Sequence, residues 1–219
     1  MIRPALTLML ALAFALPAFA DDSDIDKVNG SIQVADGTSA GKLSTVNGGI
    51  HVGSNAHARS AETVNGGIEV GDGATLDSLE TVNGGLHLGS NVKIAKGVTA
   101  VNGSITAGNA ADITGKLENV NGGIKLDAAH VGGGIQTVNG DITVGANSHV
   151  EGGIFIDENH SMFSWGTSRK PRIVIGPHAV VQGKLTFKRD VDLYVSDSAT
   201  IGAVEGATPQ KFSGDQPPQ

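Results

Sequence analysis

The chain has 219 residues, sets 15 Lys and Arg against 22 Asp and Glu, and contains no cysteine. Its formal net charge of −7 argues against a nucleic-acid partner, which would need a basic face. Without cysteine there is no disulfide framework, no thiolate nucleophile or ligand, and no thiol for lipid attachment.

The first twenty residues have the form of a cleavable export signal. Arg3 gives the positive start, Ala5 to Leu16 is an apolar run, Pro17 breaks it, and Ala18-Phe19-Ala20 is a small-residue cleavage pattern. The run is shorter than the ~20 residues a membrane-spanning helix needs. No later stretch is long and apolar enough to span, so a mature chain beginning at Asp21 is expected in the periplasm or outside the cell.

From Asp21 the sequence is a repeat. Val-Asn-Gly recurs seven times, with asparagines at 29, 47, 65, 83, 102, 121 and 139, at intervals of 18 or 19 residues. With each Val as position zero, position +4 holds Ile32, Ile50, Ile68, Leu86, Ile105, Ile124 and Ile142. Position +6 holds Val34, Val52, Val70, Leu88, Ala107, Leu126 and Val144. A third aliphatic position gives Leu76, Ile94, Ile113 and Val150. A fourth gives Leu43, Ala61, Leu79, Val98, Leu117, Ile135 and Ile154.

Two architectures compete for such a pattern. In a meander, each Asn-Gly would be a two-residue hairpin turn. In a solenoid it is a corner, and the chain coils on to lie on top of itself. The even spacing of Val64, Gly66, Ile68 and Val70 keeps apolar residues on one side through the Asn-Gly, which favours the corner. The expected fold is therefore all-β: a single-stranded parallel β-helix (solenoid) of about 18 residues per coil, with three short strands in each coil. Left-handed hexapeptide helices also make turns of this length. However, "LDSLET" places its second Leu one position early, and parallel crossovers are overwhelmingly right-handed, so a right-handed coil is expected. Stacked coils would align Asn29, Asn47, Asn65, Asn83, Asn102, Asn121 and Asn139 as an amide ladder, each hydrogen-bonding the next.

After the last Val-Asn-Gly, "DITVGANSHVEGGIFID" completes a coil, and residues 172–206 read as about two more, giving a solenoid over 21–206 of about nine coils. Residues 157–171, "DENHSMFSWGTSRKP", break the pattern and read as a projecting loop. Phe163 and Trp165 lie there beside Arg169, Lys170 and Arg172, a combination that suits an anionic glycan or a protein partner. Residues 207–219 hold three prolines and read as a cap or a frayed tail. Neither end carries a substantial helical cap, so self-association through the ends is expected of unprotected edge strands.

The serial "TVNGGI.VG" units and "IVIGPHAVVQGKL" resemble the bactofilin-type polymer-forming β-helix proteins, and similarly the bacterial putative-adhesin families built from Gly-rich β repeats. The resemblance covers residues 25 to about 206. It implies a right-handed, roughly triangular β-helix without catalysis, acting as scaffold or filament. Bactofilins are cytoplasmic, whereas this chain carries an export signal.

The outward columns hold the residues with chemical potential. Position +5 reads Gln33, His51, Glu69, His87, Thr106, Lys125, Thr143. With rungs ~4.8 Å apart, His51 and His87 are too distant to share a zinc ion. Glu62, Glu80 and Glu118 form a column two residues before the Val. Paired carboxylates there would suit a polysaccharide lyase or glycosidase, but no Arg or Lys sits beside them in the repeat. "IGPHAVV" with His178 suits hexapeptide acyl transfer, whose activated donors are intracellular. No cofactor or metal is implied. The expectation is an exported, non-enzymatic structural or surface-interaction solenoid, with a carbohydrate-active enzyme or polysaccharide-binding β-helix as the alternative, and with an envelope or glycan partner.

Overall fold

The computed structural model describes residues 23–158 and 169–217. The segment expected to be an export signal, together with Phe163 and Trp165, lies outside the described residues.

Every regular element among these residues is a β-strand. The strands stack in parallel, each on the equivalent strand one coil away: Ile50 pairs with Ile68, Ile68 with Leu86, Leu86 with Ile105, and Ile105 with Ile124. The protein is a β-solenoid. One sheet gathers ten short strands, from Ile32–Val34 at one end to Gln210–Phe212 at the other, and a second sheet of 15 strands forms the rest of the wall. Ten rungs exceed the nine read from the sequence. The tenth comes from the Pro-rich tail, where Gln210–Phe212 pairs with Tyr194–Ser196 and Phe212 is buried.

The four aliphatic columns form one continuous core. Leu43, Ala61, Leu79, Val98, Leu117, Ile135 and Ile154 are all buried, as are Leu76, Ile94, Ile113 and Val150 with Val131 between them. Each such Leu, Ile or Val contributes roughly 1.5–3 kcal/mol by leaving water. Because the columns stack like on like, each rung covers the next, and only the two ends depend on something else.

Two local expectations need correction. In the first four coils the second and third strands are fused into single strands of nine or ten residues, such as His57–Asn65 and Lys93–Asn102. They separate into two only in later coils, as in Asp112–Ile113 and Leu117–Asn121. The parity argument also fails at the corner. Val64 is 40% exposed, whereas Thr63 before it and Ile68 after it are buried. Thr63 and Ile68 are an odd number of residues apart, so the bend through Asn65 and Gly66 resets the alternation. The chain coils as expected, but Thr rather than Val is the residue that points inward.

That inward Thr closes the corner. The hydroxyls of Thr45, Thr63 and Thr81 donate to the carbonyls of Gly30, Gly48 and Gly66 at 3.1, 2.9 and 3.0 Å. From the second coil onward, the glycine after the asparagine is fixed by close approach. A Cβ built on Gly66 would lie 2.1 Å from the Gly48 carbonyl oxygen. A second corner in each coil takes left-handed backbone at Asn55, Asn91 and Asn147, and at His178 (φ 57°), conformations that Asn tolerates best among non-glycine residues. His178 is thus a corner residue, and its backbone N–H donates to Ser198 Oγ at 3.1 Å.

Candidate functional site

The Asn-Gly corner sets the surface chemistry of the rod. Its seven asparagines form one chain of side-chain amide hydrogen bonds. Asn47 donates to Asn29, Asn65 to Asn47, Asn83 to Asn65, Asn102 to Asn83, Asn121 to Asn102 and Asn139 to Asn121, each at 2.9–3.0 Å. Every amide points the same way, so the chain has a donor end at Asn29 and an acceptor end at Asn139. Aligned amides polarise one another and strengthen the series.

Arg189 sits at the acceptor end. Its Nη1 donates to Asn139 Oδ1 at 2.6 Å and to the Val138 carbonyl at 3.2 Å. Strand Arg172–Ile175 lies between Ile142–Val144 and Asp192–Ser196 in the stack, so Arg189, just before Asp192, reaches past one rung to cap the ladder. Nothing in the repeat identifies this residue, since it belongs to a coil without an Asn.

Beside the ladder runs an apolar ridge. Val28, Val46, Val64, Val82 and Val120 are the large hydrophobic side chains that the described residues leave exposed. On one side of the ridge the Glu column stacks in register, Glu62 on Glu80. Contrary to the sequence reading, a lysine does sit beside this column. Lys42 Nζ lies 2.7 Å from Glu62 Oε2, and this carboxylate holds the Lys42 ammonium above its usual pKa.

On the other side of the corner lies a groove of about 530 Å³ along the first five rungs. Its floor includes Gly49, Gly67 and Gly85, and its flank carries His51, Glu69 and His87. His51 Nδ1 lies 3.3 Å from Glu69 Oε2, which engages the histidine with a carboxylate. Among the described residues no group of three or more His, Asp or Glu side chains has metal-holding geometry.

The basic residues Arg169, Lys170 and Arg172 are each engaged by a neighbour. Arg169 pairs with Asp141, Lys170 with Asp190 at 3.3 Å, and the Arg172 guanidinium stacks over Tyr194 at 4.8 Å. The Arg172 backbone N–H donates to Asp141 Oδ1 at 2.8 Å, so Asp141 pins the returning chain to the rung beneath.

One ionic cluster was not visible in the repeat. His130 Nδ1 lies 2.6 Å from Asp112 and Nε2 3.3 Å from Glu151, with the His149 ring 5.8 Å away. The Asp112 hydrogen bond, reinforced by Glu151 and opposed by partial burial, raises the His130 pKa above its usual value. The signal was available in the stacking register, which sets Asp112 next to His130 and His130 next to His149.

No helix among the described residues is long and apolar enough to cross a membrane. No family model matches the chain, and neither a curated protein nor a solved structure matches it.

Proposed function

We propose that this chain is an exported structural rod, a scaffold or adhesin-like surface-interaction protein that works through repeated outward columns and not through a catalytic site. The observation that carries this reading is the Val and Asn pair presented outward, in register, on successive rungs. The core needs neither of these side chains, because Thr63 and Ile68 supply the inward contacts around them. A surface held constant over seven repeats suits a partner met over an area, such as an envelope polymer or another protein.

The export signal supports a periplasmic or secreted location, and it sets this chain apart from the cytoplasmic bactofilins despite the shared style of repeat. A carbohydrate-active enzyme would use Glu62 and Glu80. The Lys42 contact draws Glu62 into an ion pair, an arrangement that suits a stacked acidic column held by a neighbouring cation.

Cell fractionation, N-terminal sequencing and co-sedimentation test the proposal together. The exported chain should begin at Asp21, and purified residues 21–219 should pellet with insoluble envelope material. Retention of the leader in the cytoplasm, or depolymerisation of an acidic polysaccharide that is abolished by Glu80→Gln, would overturn it.

A further inference from the structure

The seven corners share the same Asn-Gly dipeptide but not the same hydrogen bonding. An asparagine followed by glycine can close on itself. The glycine nitrogen attacks the side-chain amide carbon, ammonia leaves, and water opens the five-membered imide. Glycine has no Cβ to hinder that approach. The attacking nitrogen must first lose its proton, and an N–H already donated to a carbonyl resists that loss.

Five corners are guarded in this way. The N–H groups of Gly30, Gly48, Gly66, Gly84 and Gly103 donate to the carbonyls of Asn47, Asn65, Asn83, Asn102 and Asn121, one rung on, at 2.8–3.0 Å. The N–H groups of Gly122 and Gly140 have no acceptor among the described residues. No ladder asparagine follows Asn139 to supply one. The rung after it stays in register as far as Thr137, which pairs with Ile156.

The side chains at the seventh corner are rearranged as well. At earlier corners Thr45, Thr63 and Thr81 donate to the glycine carbonyl one rung back. At the seventh, Asn119 Nδ2 donates to the Gly122 carbonyl at 2.9 Å, and the buried Thr137 hydroxyl has no partner among the described residues. Asn139 also differs from Asn121 in what holds its amide oxygen. Asn121 Oδ1 accepts from the neutral amide of Asn139, whereas Asn139 Oδ1 accepts from the Arg189 guanidinium at 2.6 Å. Attack at Cγ drives negative charge onto Oδ1, where a fixed cation stabilises it. The Asn139 side chain is exposed, so water reaches the imide.

We infer that Asn139 is a self-modifying residue, deamidated in the folded protein by the Gly140 nitrogen with Arg189 polarising the amide. Hydroxide takes the Gly140 N–H proton and the Gly140 N–Cγ bond forms. The Cγ–Nδ2 bond then breaks, and the nitrogen takes a proton from water and departs as ammonia. Water cleaves the imide at Cγ to give aspartate, or at the backbone carbonyl to give isoaspartate. No oxidant or cofactor enters. The aspartate product keeps Arg189 as an ionic partner and loses the donor to Asn121, so the ladder ends one rung earlier with a charge beside it. This modification goes beyond the proposed surface role and does not depend on it.

The seven sites are one another's controls. Residues 21–219 are held at mildly alkaline pH, folded or in urea, and peptide mapping by mass spectrometry reads the NH2-to-OH mass change at each site. In urea the sites should react at similar rates. In the folded chain, Asn139 should react about tenfold or more faster than the five guarded asparagines, the scale set by one lost hydrogen bond, with Asn121 between them. Arg189→Gln keeps a neutral donor and should slow Asn139 about fivefold while leaving Asn121 unchanged. Arg189→Lys keeps the cation and should restore most of the rate, which a merely structural role for Arg189 would not produce. Equal folded-state rates at the seven sites, or the fastest rate at a guarded corner, would overturn the site. A rate at Asn139 that Arg189→Gln leaves unchanged or raises would overturn the part given to Arg189.

Discussion

Arg189 Nη1 donates to Asn139 Oδ1 at 2.6 Å across a separation of 50 residues. This contact ends a line of seven asparagine amides, and it does so with a charged donor at the end where the last carbonyl oxygen would otherwise have no amide above it. Hydrogen bonds to charged groups are worth more than neutral ones, about 1.5–3 kcal/mol when well shielded. Arg189 is half-buried, so Arg189→Ala should cost about 1–2 kcal/mol. Within the ladder, Asn83→Ala removes two amide bonds and Asn29→Ala only one. Urea denaturation should therefore show roughly twice the loss for Asn83→Ala. Equal losses would mean that water replaces the amide bonds and that the ladder itself adds nothing to stability.

The inward threonines allow a paired comparison. Thr63 donates to Gly48, whereas Thr137 is fully buried and its hydroxyl has no hydrogen-bond partner among the described residues. Thr63→Val should destabilise the protein by about 1 kcal/mol. Thr137→Val removes an unsatisfied polar atom without changing shape, so it should be neutral or stabilising by about 1 kcal/mol. Thermal unfolding of the two variants should move in opposite directions.

Glycine substitutions should separate the two positions of the Gly-Gly pair. Gly66→Ala forces a Cβ to 2.1 Å from a backbone oxygen and should cost about 3 kcal/mol or more. Gly49→Ala meets its nearest atom at 3.3 Å, beyond hard overlap, and should change stability by about 1 kcal/mol or less. Chemical denaturation measures both.

The His130 cluster should make stability depend on pH. Its folded-state pKa lies above the usual value because Asp112, and then Glu151, favour the charged ring. A raised pKa stabilises the folded state below the unfolded value of about 6.5, and this contribution is lost as pH rises through the folded value. His130→Gln should therefore be less stable than the native chain at pH 5.5, with the gap narrowing by pH 8.5. Denaturation midpoints for both chains at the two pH values measure this. A gap that is constant across pH would mean that His130 contributes by packing alone.

The solenoid was legible because its information is columnar. Four aliphatic positions recurring at a fixed interval can all be buried only if coils stack like on like, and Leu43, Leu79, Leu117 and Ile154 are buried as that requires. What the repeat concealed lies at the corner. The bend through Asn65 and Gly66 shifts the in–out phase by one residue, so Val64 faces water and Thr63 faces inward, a change that periodicity alone does not reveal. Lys42 was missed as the partner of Glu62 because it lies in the preceding coil, away from the column itself. Arg189 was missed because it belongs to a non-repeating coil and acts two rungs away. The basic residues Arg169, Lys170 and Arg172 were legible as a cluster. Their pairing with Asp141 and Asp190 was not, because it depends on where the chain re-enters the stack.

Deletion of whole coils tests most directly whether the protein works through its repeated surface. Removing residues 48–83 joins Asn47 to Gly84 and takes out two coils while keeping the register of every remaining rung. The shortened rod should remain folded by circular dichroism. In co-sedimentation with envelope material, its binding should be weaker than that of the full chain and still measurable, because fewer columns meet the partner. Complete loss of binding by a folded short rod, or binding equal to that of the full chain, would place the activity in one local site and contradict a function carried by the array.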